Sequence, residues 1–136
     1  MQLSSPIYLD SSALVKLVID EAGSSDLYEF LLETDSQMAS SELADVEIVR
    51  TIMKLDPEKM NMAVEVLAST VLLPLTTEIR IRAGLVHPGS LRSLDAIHLS
   101  TAMEIREDLD CLITYDKRLA AAGGEAGLRV MSPGAD

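Results

Sequence analysis

Short apolar runs that alternate with helical segments are the feature of this sequence that most restricts its fold. The first run, Ile7-Tyr8-Leu9, ends at Asp10 and is followed at once by helical residues. Similar runs occur at residues 38–39, 71–75, 111–114 and 128–131, with helix-like segments between them. Because strands separated by helices form parallel sheets covered on both faces, the pattern predicts an α/β fold with three layers, α/β/α, and about five short strands.

The predicted helices follow from the spacing of apolar residues and from capping residues. They cover residues 13–19, 24–34, 42–54, 57–67, 78–85, 93–105 and 116–122. The helix over 93–105 is apolar on most of its circumference, so we expect it to be buried. Gly123-Gly124 is expected to end the last helix, since glycine commonly terminates helices.

The length of 136 residues corresponds to one domain with one core. We expect a single domain over 1–132 and a loose tail over 133–136. No segment approaches the roughly 20 apolar residues of a membrane helix, and the first residues lack the basic region of a signal peptide, so a cytoplasmic protein is expected. Cys111 is the single cysteine, which excludes an internal disulfide or a zinc module.

The distribution of charge is more informative than its sum. The chain carries 22 acidic and 11 basic residues, a net charge of −11, which opposes binding of a polyanion. Carboxylates gathered in one place, however, bind divalent cations. Asp10 and Asp116 each follow a predicted strand, and parallel sheets bind ligands beyond the carboxyl ends of their strands. For either residue alone, a simple helix N-cap remains an alternative.

Two further acids lie inside predicted helices. Glu47 interrupts an apolar stripe, and the alternative for it is an ion pair with Arg50 on the helix surface. Asp95 lies in the first turn of the most apolar helix, where a favourable interaction with the helix dipole is the alternative. Four converging carboxylates need a metal ion or basic residues nearby, and oxygen ligands alone indicate Mg²⁺ or Mn²⁺ as the metal. His87 and His98 are interpreted as structural residues outside this site.

At these residues the sequence resembles the PIN-domain ribonucleases, specifically the VapC toxins of bacterial type II toxin–antitoxin modules. Four blocks in the same order carry the resemblance over nearly the whole chain: YLDSSALVKL, SSELADVEIVR, LRSLDAIHLSTAM and LITYDKRLAAAGGEAGLRVMSPG. The sequence departs from the family at Ser100, where alanine is usual, and at Gly123-Gly124, where a helix often continues. The resemblance implies a PIN-like three-layer domain.

The resemblance also implies a set of site residues and an activity. The family has four catalytic acids that bind Mg²⁺, or alternatively Mn²⁺. The matching residues in this sequence are Asp10, Glu47, Asp95 and Asp116. Hydroxyl positions beside the first and last acids are matched by Ser12 and Thr114. The implied protein is a metal-dependent endoribonuclease that hydrolyses phosphodiester bonds in structured RNA, such as tRNA or rRNA. Attack by a metal-activated water would leave 5′-phosphate products.

Partners follow from the same resemblance. We expect a homodimer and a VapB-type antitoxin, whose C-terminal segment covers the site and pairs an arginine with the carboxylates. Positive charge for the RNA substrate must come from local groups. The candidates, all within or close to the four blocks, are Lys16, Arg50, Lys54, Arg92, Lys117 and Arg118.

Other classes of protein share parts of this pattern. A receiver-type signalling domain needs paired acids after its first strand and a lysine after its last, and Asp10-Ser11-Ser12 and Val130-Met131-Ser132 supply neither. A haloacid-dehalogenase phosphatase needs Asp-x-Asp, and Ser12 occupies the second position. A PIN fold that only binds partners also remains open, although the intact quartet argues against it.

Overall fold

The computed structural model describes residues 4–135. Its strands are β1 (Ile7–Leu9), β2 (Met38–Ser41), β3 (Thr70–Leu73), β4 (Cys111–Ile113) and β5 (Val130–Met131). Its α-helices are α1 (Ser11–Lys16), α2 (Ser24–Glu33), α3 (Ala44–Leu55), α4 (Met60–Ala68), α5 (Thr77–Leu85), α6 (Ser93–Glu104) and α7 (Lys117–Glu125). A 3₁₀ turn, Pro57–Lys59, precedes α4.

The strands form one parallel sheet with the order β3-β2-β1-β4-β5. The central strand β1 pairs with β4 so that Leu9 lies beside Ile113. Strand order reverses between β1 and β4, and the crevice beyond the carboxyl ends at such a point is where α/β sheets bind ligands. The predicted α/β fold is confirmed. Receiver domains have the order 2-1-3-4-5, so the observed order excludes that alternative.

Alternate residues of the central strands face two different cores, as the pleat of a strand requires. Ile7 and Leu9 pack in a core with buried residues of α1–α4, whereas Tyr8 and Leu112 pack with Ala102 of α6. A further cluster joins α6 to α7, and α5 packs against α6. The helices therefore form two layers, α1–α4 on one face of the sheet and α5–α7 on the other.

The last helix differs from its prediction. Helix α7 continues to Glu125, so the expectation that Gly123-Gly124 end it is wrong. A Cβ at Gly123 would lie 3.0 Å from side-chain atoms of Leu112 and Val130, so glycine here allows the helix to approach the sheet closely. The helix is followed instead by Gly127, whose φ of +89° lies in the left-handed region.

The first helix is also displaced from its predicted range. Helix α1 begins at Ser11, because the side chain of Asp10 accepts a hydrogen bond from the Ala13 backbone and caps it, and it ends at Lys16. Near the other end of the chain, the Pro133 carbonyl of the predicted tail accepts a hydrogen bond from the Tyr115 hydroxyl. Residues 1–3 of the predicted domain and Asp136 of the tail lie outside the described residues. Within 4–135, no helix combines the length and the hydropathy that crossing a bilayer requires.

Candidate active site

Asp10 follows β1 directly and is only 2% exposed. Its Oδ1 accepts hydrogen bonds from the Ala13 backbone (3.0 Å) and Ser12 Oγ (2.6 Å), and its Oδ2 accepts one from Thr114 Oγ1 (2.5 Å). Asp10 is therefore both the N-cap of α1 and the partner of two hydroxyl groups. Burial raises the pKa of Asp10 above its ordinary value, and this effect outweighs the three hydrogen bonds and the attraction of His98.

Asp116 has the corresponding position after β4. Its Oδ1 accepts a 2.9 Å hydrogen bond from the Arg118 backbone and caps α7, and its Oδ2 lies 2.9 Å from Arg92 Nη2. The Asp116 backbone donates to Thr114 Oγ1 at 3.1 Å, so one hydroxyl connects Asp116 with Asp10. Both acids at strand ends are thus N-caps, and each also directs an oxygen to a partner from another element.

Arg92, which immediately precedes α6, bridges two of the predicted acids. Its Nε lies 3.1 Å from Asp95 Oδ2, and its Nη2 bonds Asp116. These two carboxylates, Asp95 first, raise the pKa of Arg92 above its ordinary value. The Arg92 side chain is 68% exposed, so the pairs contribute little to stability. They show, however, that this pair of carboxylates accepts a planar guanidinium cation.

Glu47 lies in the first turn of α3, beside the buried face of that helix and not within it. That face consists of Ala44, Ile48 and Ile52. Glu47 Oε2 accepts a 2.9 Å hydrogen bond from Ser11 Oγ, and Oε1 lies 2.8 Å from His98 Nε2. These are the partners of the Glu47 carboxylate among the described residues, in place of the expected alternative, Arg50. Burial alone raises the pKa of Glu47, but the hydrogen bond and charge of His98, together with Ser11, hold that pKa below its ordinary value.

His98 and Ser11 are contacts of the acids that sequence reasoning missed. His98 is 1% exposed, and besides Glu47 it contacts Tyr8, whose hydroxyl lies 2.7 Å from His98 Nδ1. The interpretation of His98 as a residue outside the site does not match this position. One signal could have found it: His98 stands three residues after Asp95, one helical turn along the same face of α6.

These contacts connect the four predicted acids around the carboxyl edge of the sheet. Thr114 joins Asp10 to Asp116, and Arg92 joins Asp116 to Asp95. His98, one turn after Asp95 on α6, contacts Glu47. Ser11 also contacts Glu47, and its neighbour Ser12 contacts Asp10. Among residues 4–135, no three acidic, histidine or cysteine side chains lie close enough together to form a metal cluster. The donors are nevertheless carboxylate oxygens on one edge, the type that Mg²⁺ and Mn²⁺ prefer. The residues therefore fit a hard divalent cation in their chemistry.

The six basic residues predicted to contact RNA differ in their surroundings. Lys16 Nζ donates to the Ala22 carbonyl (2.8 Å), pairs with Glu21 (3.1 Å) and lies 4.5 Å from the centroid of the Tyr115 ring. The Lys16 side chain therefore stabilises the turn after α1. Arg92 is paired with Asp95 and Asp116. The other four candidates are exposed and have no ion pair to any other described residue: Arg50, Lys54, Lys117 and Arg118.

Comparison with known proteins defines the class to which this fold and these acids belong. The family model of the PIN domain matches residues 7–125, which include all four acids and their hydroxyl and imidazole partners. The chain belongs to the PIN domain family, as its four sequence blocks indicated.

Its relatives within the family are VapC proteins. The chain is 38% identical over 133 residues to ribonuclease VapC47 of Mycobacterium tuberculosis, covering 95% of this chain and 98% of the relative. It is 39% identical over 127 residues to ribonuclease VapC46 of the same species, covering 93% and 97%.

Solved structures support the same fold. A toxin–antitoxin complex from Klebsiella pneumoniae aligns with a TM-score of 0.72 at 23% identity, over 93% of this chain and 97% of that one. VapC20 of M. tuberculosis, a sarcin–ricin loop cleaving toxin, aligns with a TM-score of 0.70 at 16% identity, over 86% and 95%. At these identities the likeness establishes the three-layer architecture.

Proposed function

We propose that this protein is the toxin of a type II toxin–antitoxin module and acts as a metal-dependent endoribonuclease. The observation that carries the proposal is that four carboxylates from four different parts of the chain lie around the switch point of the sheet, where Thr114 and Arg92 join Asp10, Asp116 and Asp95. Similarity to the ribonucleases VapC47 and VapC46 over 93% or more of the chain supports the activity.

The residues that would hold Mg²⁺ or Mn²⁺ are Asp10, Glu47, Asp95 and Asp116. A divalent cation bound there supplies a water of lowered pKa and neutralises charge on the scissile phosphate. Other residues of the chain position the acids: Ser12 and Thr114 donate hydrogen bonds to Asp10, and Arg92 forms ion pairs with both Asp95 and Asp116. No side-chain nucleophile is required, so we expect products with 5′-phosphates.

The proposed substrate is a structured RNA, such as tRNA or rRNA. Tyr8, Tyr28, Phe30 and Tyr115 are the only aromatic residues, and Tyr8 is fully buried, so few rings can stack on bases. The exposed cations of α3 and α7 can instead contact phosphates, which suits recognition by RNA shape. A homodimer would join two such surfaces.

The proposed protein partner is a VapB-type antitoxin that covers the acids with its C-terminal segment. Arg92 supports this proposal, because its guanidinium already bridges Asp95 and Asp116, and an arginine from the partner could make the same contacts. The toxin–antitoxin complex from K. pneumoniae shares the fold.

The test is cleavage of total cellular RNA with Mg²⁺ or Mn²⁺, followed by mapping of the fragment ends. The wild type should give discrete fragments with 5′-phosphates, and EDTA, Asp10→Asn and Asp95→Asn should each abolish them. The matched control is Asp45→Asn, since Asp45 is an exposed acid on α3 that faces away from Glu47. If the wild type and Asp10→Asn behave alike, the protein is not a nuclease of this kind, and the binding-module alternative gains support.

A further inference from the structure

A buried histidine connects the central strand with one of the four acids. His98 lies between the Tyr8 hydroxyl, 2.7 Å from Nδ1, and Glu47 Oε1, 2.8 Å from Nε2. The Tyr8 and His98 rings meet edge to face, with centroids 5.8 Å apart and planes at 73°. Tyr8 is 0% exposed and His98 is 1% exposed, so water does not compete for these hydrogen bonds.

The two contacts of His98 constrain which groups can donate. An ionised carboxylate only accepts hydrogen bonds, so His98 Nε2 carries the hydrogen that points to Glu47. Burial raises the pKa of Tyr8 above its ordinary value, so its hydroxyl keeps its proton and stays a hydrogen-bond partner of Nδ1. Both ring nitrogens of His98 therefore have a partner, and the Nε2–H is directed at the acid.

The three residues come from different layers of the fold. Tyr8 lies in β1, His98 lies in α6 on one face of the sheet, and Glu47 lies in α3 on the other. The contact between His98 and Glu47 therefore fixes the acid of one layer relative to Asp95, the acid one turn earlier on α6. A glutamate has several freely rotating bonds, and holding both its oxygens, by Ser11 and His98, removes that freedom in advance.

We propose that His98 is a positioning residue whose Nε2–H, oriented by the Tyr8 hydroxyl, holds the Glu47 carboxylate at the acid edge in the orientation that a divalent cation requires. The inference rests on the proposed function and adds a residue to it. Carboxylates that bind metals are commonly oriented by hydrogen-bond donors that do not touch the metal, and loss of such a donor lowers metal affinity or activity. The apolar packing of His98 would not by itself require a donor aimed at Glu47.

Two substitutions separate the hydrogen bond from the packing. In His98→Gln, the side-chain amide nitrogen can take the place of Nε2 and donate to Glu47. In His98→Asn, the amide lies near the position of Nδ1, so Tyr8 keeps a partner and Glu47 loses its donor. Three quantities are measured on each full-length variant: the thermal midpoint, the Mn²⁺ affinity of the EDTA-stripped protein by electron paramagnetic resonance, and kcat and KM for RNA cleavage.

We expect His98→Asn to lower Mn²⁺ affinity and kcat by about tenfold with little change in KM, and His98→Gln to stay within about threefold of the wild type. Tyr8→Phe should give a smaller loss, since Nδ1 loses its partner while Nε2 remains in place. In a Glu47→Ala background, His98→Asn should cause no further loss of Mn²⁺ affinity, because the group that it positions is gone.

Other outcomes overturn the inference and separate it from the proposed function. If the wild type cleaves RNA, and His98→Asn and His98→Gln have equal Mn²⁺ affinity and kcat, then His98 does not position Glu47. The same conclusion follows if His98→Asn loses affinity equally with and without Glu47, since the effect would then be structural. If the wild type neither cleaves RNA nor binds Mn²⁺, the proposed function fails, and the inference fails with it.

Discussion

Buried hydroxyl groups on α6 differ in how they are satisfied. Thr101 Oγ1 donates to the Ile97 carbonyl one turn earlier, at 2.6 Å. Ser100 is 0% exposed, and its Oγ has no hydrogen-bond partner among residues 4–135. A buried hydroxyl without a partner destabilises a fold by roughly 1–3 kcal/mol, because it has lost its hydrogen bonds to water.

We therefore expect Ser100→Ala to raise the free energy of unfolding by about 1 kcal/mol, since it removes the unsatisfied group and alanine has the higher helix propensity. Chemical denaturation monitored by circular dichroism measures this difference. The matched control is Ser40→Ala, because Ser40 is equally buried but donates a 2.6 Å hydrogen bond to the Leu9 carbonyl, and its loss should destabilise the protein. Equal destabilisation by both substitutions would contradict the prediction.

Asp10 makes stability depend on pH in the opposite direction to most carboxylates. Its pKa is raised by burial above the ordinary value of 3.8, so its contribution to folding is full below that value and is lost as the pH rises through the raised pKa. Asp10→Asn cannot ionise. In the absence of metal, Asp10→Asn and the wild type should be similarly stable near pH 4. As the pH rises, the wild type should lose stability relative to the variant.

Thermal unfolding in EDTA between pH 4 and pH 8 tests this difference, with Asp45→Asn as the control that should follow the wild type. A variant that is less stable than the wild type at pH 7 would show that the hydrogen bonds of Asp10 outweigh its burial. The expected result also strengthens the cleavage test, because an Asp10→Asn protein that is folded and inactive has lost chemistry and not structure.

At the scale of the element, α7 carries two adjacent glycines with different surroundings. A Cβ at Gly123 would meet Leu112 and Val130 at 3.0 Å, whereas a Cβ at Gly124 would meet nothing within 4 Å. Alanine in a helix interior is favoured over glycine by about 0.8–1.0 kcal/mol. Gly124→Ala should therefore stabilise the protein by nearly that amount. Gly123→Ala should lose this gain to overpacking and be at least about 1 kcal/mol less stable than Gly124→Ala.

The unfolding curves of Gly123→Ala and Gly124→Ala are compared directly. Because both variants replace glycine by alanine in the same helix, the difference in helix propensity cancels. If Gly123→Ala is as stable as Gly124→Ala, then α7 can move away from the sheet without a measurable energetic effect. In that case, close approach would not explain why the helix continues through two glycines.

The same helix shows what the sequence could and could not predict. The strands and the positions of Asp10 and Asp116 were predictable, because apolar runs are local and an acid at a strand end reaches a known edge of the sheet. The path of α7 through Gly123 was not, since it depends on the packing of the helix against Leu112 and Val130. The contact between His98 and Glu47 was not predictable either, because these residues are 51 positions apart and meet only when two layers pack.

At the scale of the whole molecule, the fold concentrates function at one edge of a strongly acidic protein. A net charge of −11 repels RNA at long range, so electrostatic steering should not accelerate association as it does for basic nucleases. Binding must rely on local contacts between cations and phosphates. Added salt weakens these contacts, but it also screens the repulsion between the acidic protein and the RNA. The balance between these two effects can be measured as a salt dependence.

We expect log(kcat/KM) for RNA cleavage, at fixed Mg²⁺, to fall with log[KCl] along a shallow slope. Each phosphate contact contributes about −0.7 (single strand) to −0.9 (duplex) to the slope, so the four cations Arg50, Lys54, Lys117 and Arg118 set a limit of about −3 to −4. Replacing Lys117 and Arg118 together by alanine should reduce the magnitude of the slope by about 1.4 to 1.8. The control is Arg106→Ala, at an exposed residue just beyond the C-terminal end of α6, the end opposite Asp95, which should leave the slope unchanged. A slope steeper than about −5 would require more phosphate contacts than these four residues provide, and would contradict this assignment of the RNA contacts.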